Sequence, residues 1–320
     1  MSGKIGIKET AARLEKAKKV LILSHQSPDG DTLGGASALC RGLRRMGKRA
    51  AIRCPDKIGP KYAFLFRDLP DDDFQPDLVA AVDIADEKLL GDLQPQWGGK
   101  VDLCIDHHPS NTGYAAETCL NPQAAATCEI IYDLLGEMGI AITPDLAEPL
   151  YTGITTDTGC FQYINVTPRT YRIAANLVET GINAPTINRK MFDTKSRARL
   201  DMERRVLESI EYDCGGKVAL IVLSQKMIRE SGAAEDDLDG LATIPRGIVG
   251  VLVGVTMREK EDGGWKVSLR ALPPANASKI CEKFGGGGHK GAAGCTLNPP
   301  FEKAKEQMLR AVREYLETLG

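Results

Sequence analysis

The segment Val101-Asp-Leu-Cys-Ile-Asp-His-His-Pro-Ser-Asn111 joins a short apolar run to three consecutive ionisable residues and a turn. A run of this length bounded by turn residues reads as a buried strand, here Val101 to Ile105. Asp106, His107 and His108 at its end are costly to bury unless something there uses them. Two other apolar runs end in the same way. VLILS, from Val20, leads into His25 with Asp29 and Asp31 close behind, and DLVAAV, from Asp77, leads into Asp83. Three of the four histidines sit at these strand ends. In an open α/β sheet, ligands bind outside the carboxyl ends of the strands. The three ends therefore describe one site.

Outward from these strands, elements alternate. A helical pattern over Lys8 to Lys18 feeds the strand Val20 to Leu23. The turn-rich loop SHQSPDGD and a helix from Thr32 to Met46 follow. The strand RAAIRC, a helical piece around Tyr62 to Phe66 and the strand Leu78 to Val82 continue the alternation. This order predicts an α/β fold with a doubly wound, mostly parallel sheet. After Asn121 the pattern turns helical: Ala124 to Met138, Asp145 to about Thr156, and Pro168 to Glu179. Asp157 lies between the last two, in GITTDTGCFQY. Three segments are expected: a metal-binding catalytic domain over 1–188, a charged linker helix over 189–212, and a smaller α/β substrate domain over 213–320. In the last, VALIVL, GIVGVLVGVTM and WKVSLR read as strands, and Ser278 to Lys283 and Phe301 to Leu316 as helices.

At 320 residues the chain suits two domains, each able to bury a core. A net charge near −2 argues against a protein that tracks long nucleic acid by charge alone. No apolar run is long enough to span a membrane, and the polar N-terminus lacks the apolar core of a signal peptide. The nine cysteines include no CxxC pair, which excludes a zinc knuckle and fits reduced thiols. A cytoplasmic location is expected.

The candidate metal ligands are His25, Asp29, Asp31, Asp83, His107 and Asp157, with Asp106 and His108 beside them. Carboxylate oxygens mixed with imidazole nitrogens suit Mn²⁺, with Fe²⁺, Co²⁺ or Zn²⁺ as alternatives. Six ligands exceed the needs of one open catalytic ion and suit two ions sharing a carboxylate. Singly, each residue has a plainer reading. PDGD is a common turn, a strand-end Asp commonly caps the next helix, and a His beside a strand is commonly structural. Together, with His-His directly after Asp at a strand tip, they favour the metal.

GGGGHKGAAG, from Gly285, satisfies GxGxxG at Gly286, Gly288 and Gly291, but a helical segment precedes it where a dinucleotide fold needs a strand. Its consecutive glycines expose backbone N–H groups that can approach a phosphate, and His289 adds a donor. Arg270, in the strand before, offers a charge-assisted grip on an anion.

SHQSPDGD, AVDIAD, DHHPSN and GITTDTGCF, in that order, resemble the motifs of the DHH phosphoesterase family. VSLR and GGGGHKGAAG resemble its DHH-associated C-terminal domain. The nanoRNase type, a bifunctional oligoribonuclease and pAp phosphatase (pAp being adenosine 3′,5′-bisphosphate), is the most similar in length and layout. The resemblance implies two divalent cations, with Mn²⁺ expected and Mg²⁺ or Co²⁺ as alternatives. It places His25, Asp29 and Asp83 on one, and Asp31, Asp83, His107 and Asp157 on the other. Asp106 would orient a neighbouring ligand, His108 would face the substrate phosphate, and Arg270 with Gly286, Gly287, Gly288 and His289 would bind the nucleotide. Ala271 departs from the Ser that relatives often carry. The implied reactions are 3′→5′ release of nucleoside 5′-monophosphates from very short RNA and conversion of pAp to AMP. A c-di-AMP or pApA phosphodiesterase and a catalytically silent nucleotide-binding regulator are the rivals. The expected partners are short RNA and mononucleotides; a homodimer stays open.

Overall fold

In the computed structural model, which describes residues 3–238, 240–298 and 300–319, the chain divides into the units Met1–Thr194 and Lys195–Gly320. The first is built on β1 (Gly3–Lys4), β2 (Lys19–Leu23), β3 (Arg49–Arg53), β4 (Leu78–Val82), β5 (Leu103–Asp106) and β6 (Glu117–Leu120). They lie in the order β1-β6-β5-β4-β2-β3, and every pairing among them is parallel. Side chains alternate across a sheet, and both faces here are covered. Val20, Ile22, Ala80 and Val82 join one core, while Leu21, Leu23, Val79 and Ala81 join another. Burial on both faces explains why these strands read as unbroken apolar runs. Each fully buried aliphatic side chain contributes about 1.5–3 kcal/mol. After β3 the chain crosses back past β2 to reach β4, so the strand order reverses between β2 and β4. The carboxyl ends at that switch point are Leu23, leading to His25, and Val82, leading to Asp83.

Two helices carry further candidate site residues. Gly30–Arg45 begins directly after its N-cap Asp29, and Pro144–Asp157 ends at Asp157. They meet closely: a Cβ on Gly34 would lie 2.3 Å from the Pro149 carbonyl oxygen, and one on Gly30 2.2 Å from Thr156 Oγ1. Glycine at both positions lets the helices approach, which brings Asp31 and Asp157 to one side of the sheet.

The second unit holds β7 (Glu211–Asp213), β8 (Val218–Leu223), β9 (Val253–Glu259), β10 (Trp265–Ala271), β11 (Gly287–His289) and β12 (Ala292–Leu297). Their order is β11-β12-β10-β9-β8-β7, with only β8–β9 parallel. GIVGVLVGVTM is a strand only from Val253, since Gly250 turns the chain at φ 87°. The charged stretch expected as a linker helix does not act as one element. Arg189–Asp193 closes the first unit, and Arg197–Glu208 packs Met202 and Val206 against Ile221, Leu223 and Leu241 of the second. On that helix Arg204 pairs with Asp201 and Glu208 and Arg205 with Asp201, while Arg205 also reaches Glu230 of the helix Gln225–Ser231. Among the described residues no helix is long and apolar enough to cross a membrane.

Candidate metal centre

The three strand ends converge. His25 Nε2 lies 3.8 Å from Asp29 Oδ1 and 3.7 Å from Asp83 Oδ2. His107 Nε2 lies 3.7 Å from Asp83 Oδ1 and 3.5 Å from Asp157 Oδ2. Three groups of donors bring their ligand atoms within 4.8 Å of one another: His25, Asp29 and Asp83; Asp31, His107 and Asp157; and Asp83, His107 and His108. Asp83 belongs to two of them and faces each with a different oxygen. Its backbone is left-handed, at φ 63°. Such a conformation costs a non-glycine residue energy, and it collects at sites where geometry outranks stability.

Asp29 fills its plainer role as well. Its Oδ1 accepts from the N–H groups of Asp31 and Thr32 at 2.9 and 3.2 Å and caps the Gly30–Arg45 helix. Asp31, in the first turn, is buried. Its Oδ2 accepts from Thr127 N–H at 2.6 Å and its Oδ1 from Cys128 N–H at 2.9 Å. The hydroxyl of Thr127 donates to Asp83 Oδ1 at 2.8 Å. Both candidate ligand histidines, His25 and His107, are held from behind. His107 Nδ1 lies 3.1 Å from the Ala124 carbonyl oxygen and His25 Nδ1 2.8 Å from that of Gln26. A proton on Nδ1, shared with a carbonyl, leaves Nε2 to face the carboxylates.

These positions fit divalent cations. His107 Nε2 is buried with no hydrogen-bond partner, an orphan that a metal ion would satisfy. Burial and then repulsion from Asp83 push Asp31 up to about 7, and burial followed by Asp31 and Asp83 takes Asp157 to about 9. Burial also raises Asp83. Burial lowers His25, but hydrogen bonds to Asp29 and Asp83 outweigh it and bring the imidazole to about 11. Carboxylates crowded this way need positive charge among them to stay ionised.

Asp106 stands behind the cluster, fully buried. Its Oδ1 accepts from His107 N–H at 2.8 Å and His108 Nδ1 at 2.8 Å, while its Oδ2 accepts from Asn111 Nδ2 at 2.6 Å. It therefore orients His108. The hydrogen bond to Asp106 raises His108 to about 9, so the ring is cationic at neutral pH and its Nε2 remains available. Sequence reasoning gave no role to Asn111, hidden in a turn, or to Thr127. The expected helix start at Ala124 placed Thr127 inside the first turn; the helix begins at Thr127 itself.

Arg270, Gly286, Gly287, Gly288 and His289 lie in the second unit. The glycine run forms the edge strand β11 and its turn. Arg270 pairs with Ala292 and Ala292 with His289, so Arg270 and His289 occupy one row across three strands. Strand pairing accounts for two of the glycines, since a Cβ would meet the Gly294 carbonyl at 2.2 Å from Gly286 and that of Ala292 at 2.6 Å from Gly288. At Gly287 a Cβ would meet nothing within 4 Å.

Residues 19–154 match the DHH family, N-terminal domain, and residues 215–318 the DHHA1 domain. A Thermus thermophilus protein named bifunctional oligoribonuclease and PAP phosphatase NrnA is 34% identical over 312 residues, 94% of this chain and 91% of its own. The Bacillus subtilis protein of the same name is 24% identical, over 87% of this chain and 89% of its own. The crystal structure of an exopolyphosphatase-related protein from Bacteroides fragilis superposes with a TM-score of 0.84 at 27% identity, covering 98% of this chain and 97% of that one. Thermus thermophilus RecJ in complex with Mn²⁺ shares the fold, with a TM-score of 0.59 at 16% identity over 96% of this chain and 55% of that one. The chain therefore belongs to the DHH family of phosphoesterases.

Proposed function

We propose that the chain is a Mn²⁺-dependent phosphoesterase that releases nucleoside 5′-monophosphates from the 3′ end of very short RNA and converts pAp to AMP. The observation that carries this reading is the convergence of overlapping donor groups on Asp83 and His107, with Asp83 facing His25 and His107 through different oxygens and His108 against the same carboxylate. His25, Asp29 and Asp83 would hold one cation, and Asp31, Asp83, His107 and Asp157 the other. Two cations so held supply an activated water and charge stabilisation for phosphoryl displacement. The chain's own part is to orient and stabilise. His108, fixed by Asp106 and Asn111, directs its Nε2–H to a phosphate oxygen as charge grows there. The activities named for the Thermus and Bacillus relatives support the same substrates. A metal-free preparation should hydrolyse neither pAp nor RNA dinucleotides, and added Mn²⁺ should restore both; activity that survives metal removal would contradict the reading.

The nucleotide grip is assigned to the second unit. Arg270 and His289 share a row beside the open backbone at Gly287, suited to a phosphate and its sugar. Replacing either with Ala should raise KM for pAp about 10- to 100-fold, the loss of one charged hydrogen bond. Metal content by elemental analysis should stay normal. An unchanged KM in both variants would remove this hairpin from substrate binding.

The crowded carboxylates predict a pH signature in metal-free protein. Asp31 and Asp157 sit above their ordinary 3.8, at about 7 and about 9. The folded state thus binds more protons than the unfolded one through this range, and stability falls as pH rises. Tm of metal-free protein should drop by about 5 °C or more between pH 6 and pH 8. Saturating Mn²⁺ should raise Tm more at pH 8 than at pH 6. Equal stabilisation at both values would mean that the cation does not replace protons on these groups.

A further inference from the structure

Thr127 touches two carboxylates of the centre without being a ligand candidate itself. It is fully buried and opens the helix Thr127–Glu137. Ala126, the N-cap, offers that helix no side-chain acceptor. The Asp31 carboxylate takes that place from a distant segment, accepting the N–H groups of Thr127 and Cys128. Negative charge is favoured at a helix N-terminus, so helix and carboxylate stabilise each other through the backbone alone. The threonine hydroxyl is not needed for this contact. It is directed instead to Asp83 Oδ1 at 2.8 Å.

That oxygen matters because Asp83 divides its two oxygens. Oδ2 faces His25 Nε2 at 3.7 Å, and Oδ1 faces His107 Nε2 at 3.7 Å. A carboxylate oxygen has two lone-pair directions. The Thr127 hydroxyl occupies one on Oδ1, which fixes the rotation of the carboxylate and leaves the other for the side where His107 Nε2 lies at 3.7 Å, a nitrogen grouped with Asp31 and Asp157, and His108 Nδ1 at 3.5 Å. We propose that Thr127 is a positioning residue whose hydroxyl sets the Asp83 carboxylate for one of the two cation sites, the one built with Asp31, His107 and Asp157. The inference rests on the reading of Asp83 as a ligand shared by two cations. Thr127→Val removes the hydroxyl, keeps both N–H contacts to Asp31 and nearly conserves volume. Its effect should therefore be confined to one site.

The test is a Mn²⁺ titration of metal-free, full-length protein by calorimetry, without substrate. The wild type should bind two equivalents. Thr127→Val should bind one with unchanged affinity and the other about 10- to 100-fold more weakly, and Thr127→Ser should restore the second. Thr127→Ala, which adds no bulk, gives the same readout should valine disturb folding at this buried position. Two equivalents at wild-type affinity in the valine and alanine variants would overturn the proposal, as would equal weakening of both sites that serine fails to restore. A wild type binding fewer than two equivalents would instead sink the shared-ligand reading, and the role of Thr127 with it.

Discussion

Asp83→Asn should abolish turnover on every substrate while the fold persists. Asparagine suits this test because the residue is held at φ 63°, a conformation that Asn tolerates and Ala resists. The substitution therefore isolates the charge. Without it, one carboxylate no longer serves both donor sets, and several kcal/mol of charge stabilisation in the transition state are lost. That corresponds to a fall in kcat of about 10²- to 10³-fold or more. Bound Mn²⁺ should fall as well, and circular dichroism should be unchanged. Retention of more than a few per cent of activity at saturating Mn²⁺ would refute the shared role.

His108→Ala should lower kcat about 10²- to 10³-fold with little change in KM for pAp, the signature of a contact that strengthens as charge develops. The geometry behind this is specific. His108 Nδ1 is tied to Asp106 at 2.8 Å, so only Nε2 can reach a substrate, and the hydrogen bond to Asp106 raises the ring to about 9, which favours its protonated form. Bound Mn²⁺ should be near normal, because neither of the two proposed donor sets requires His108. A variant changed only in KM would make His108 a binding residue.

Most of the centre is legible in the sequence because a parallel strand buried on both faces must be apolar throughout. Asp or His directly after such a run, as at His25, Asp83 and Asp106, stands out against it. Asp157 is different: it ends a helix, and spacing alone does not separate it from a helix-terminal cap. Its place among the candidates rests on the Gly- and Thr-rich GITTDTGCFQY near a helix end, and the resemblance of GITTDTGCF to a family motif strengthens it. Thr127 and Asn111 were hidden for another reason. Their contacts span 44 residues to Asp83 and five to Asp106, and neither residue type marks a site by itself. In the fold, β1 and β6 escaped because two residues of polar GK and four of mixed ETCL carry no alternation. The glycine run hid β11, since Gly has low strand propensity; its partner β12 supplies the order.

The most direct test of the account is a product time course for purified protein with Mn²⁺, offered pAp, end-labelled RNAs from two nucleotides upward, and c-di-AMP. The account predicts AMP from pAp, and nucleoside 5′-monophosphates from the shortest RNAs with the 5′ label retained until the last step. Long RNA and c-di-AMP should persist. Cleavage of c-di-AMP with pAp and short RNA left intact would contradict it in favour of a cyclic-dinucleotide phosphodiesterase, and no product from any substrate would leave a nucleotide-binding protein without catalysis.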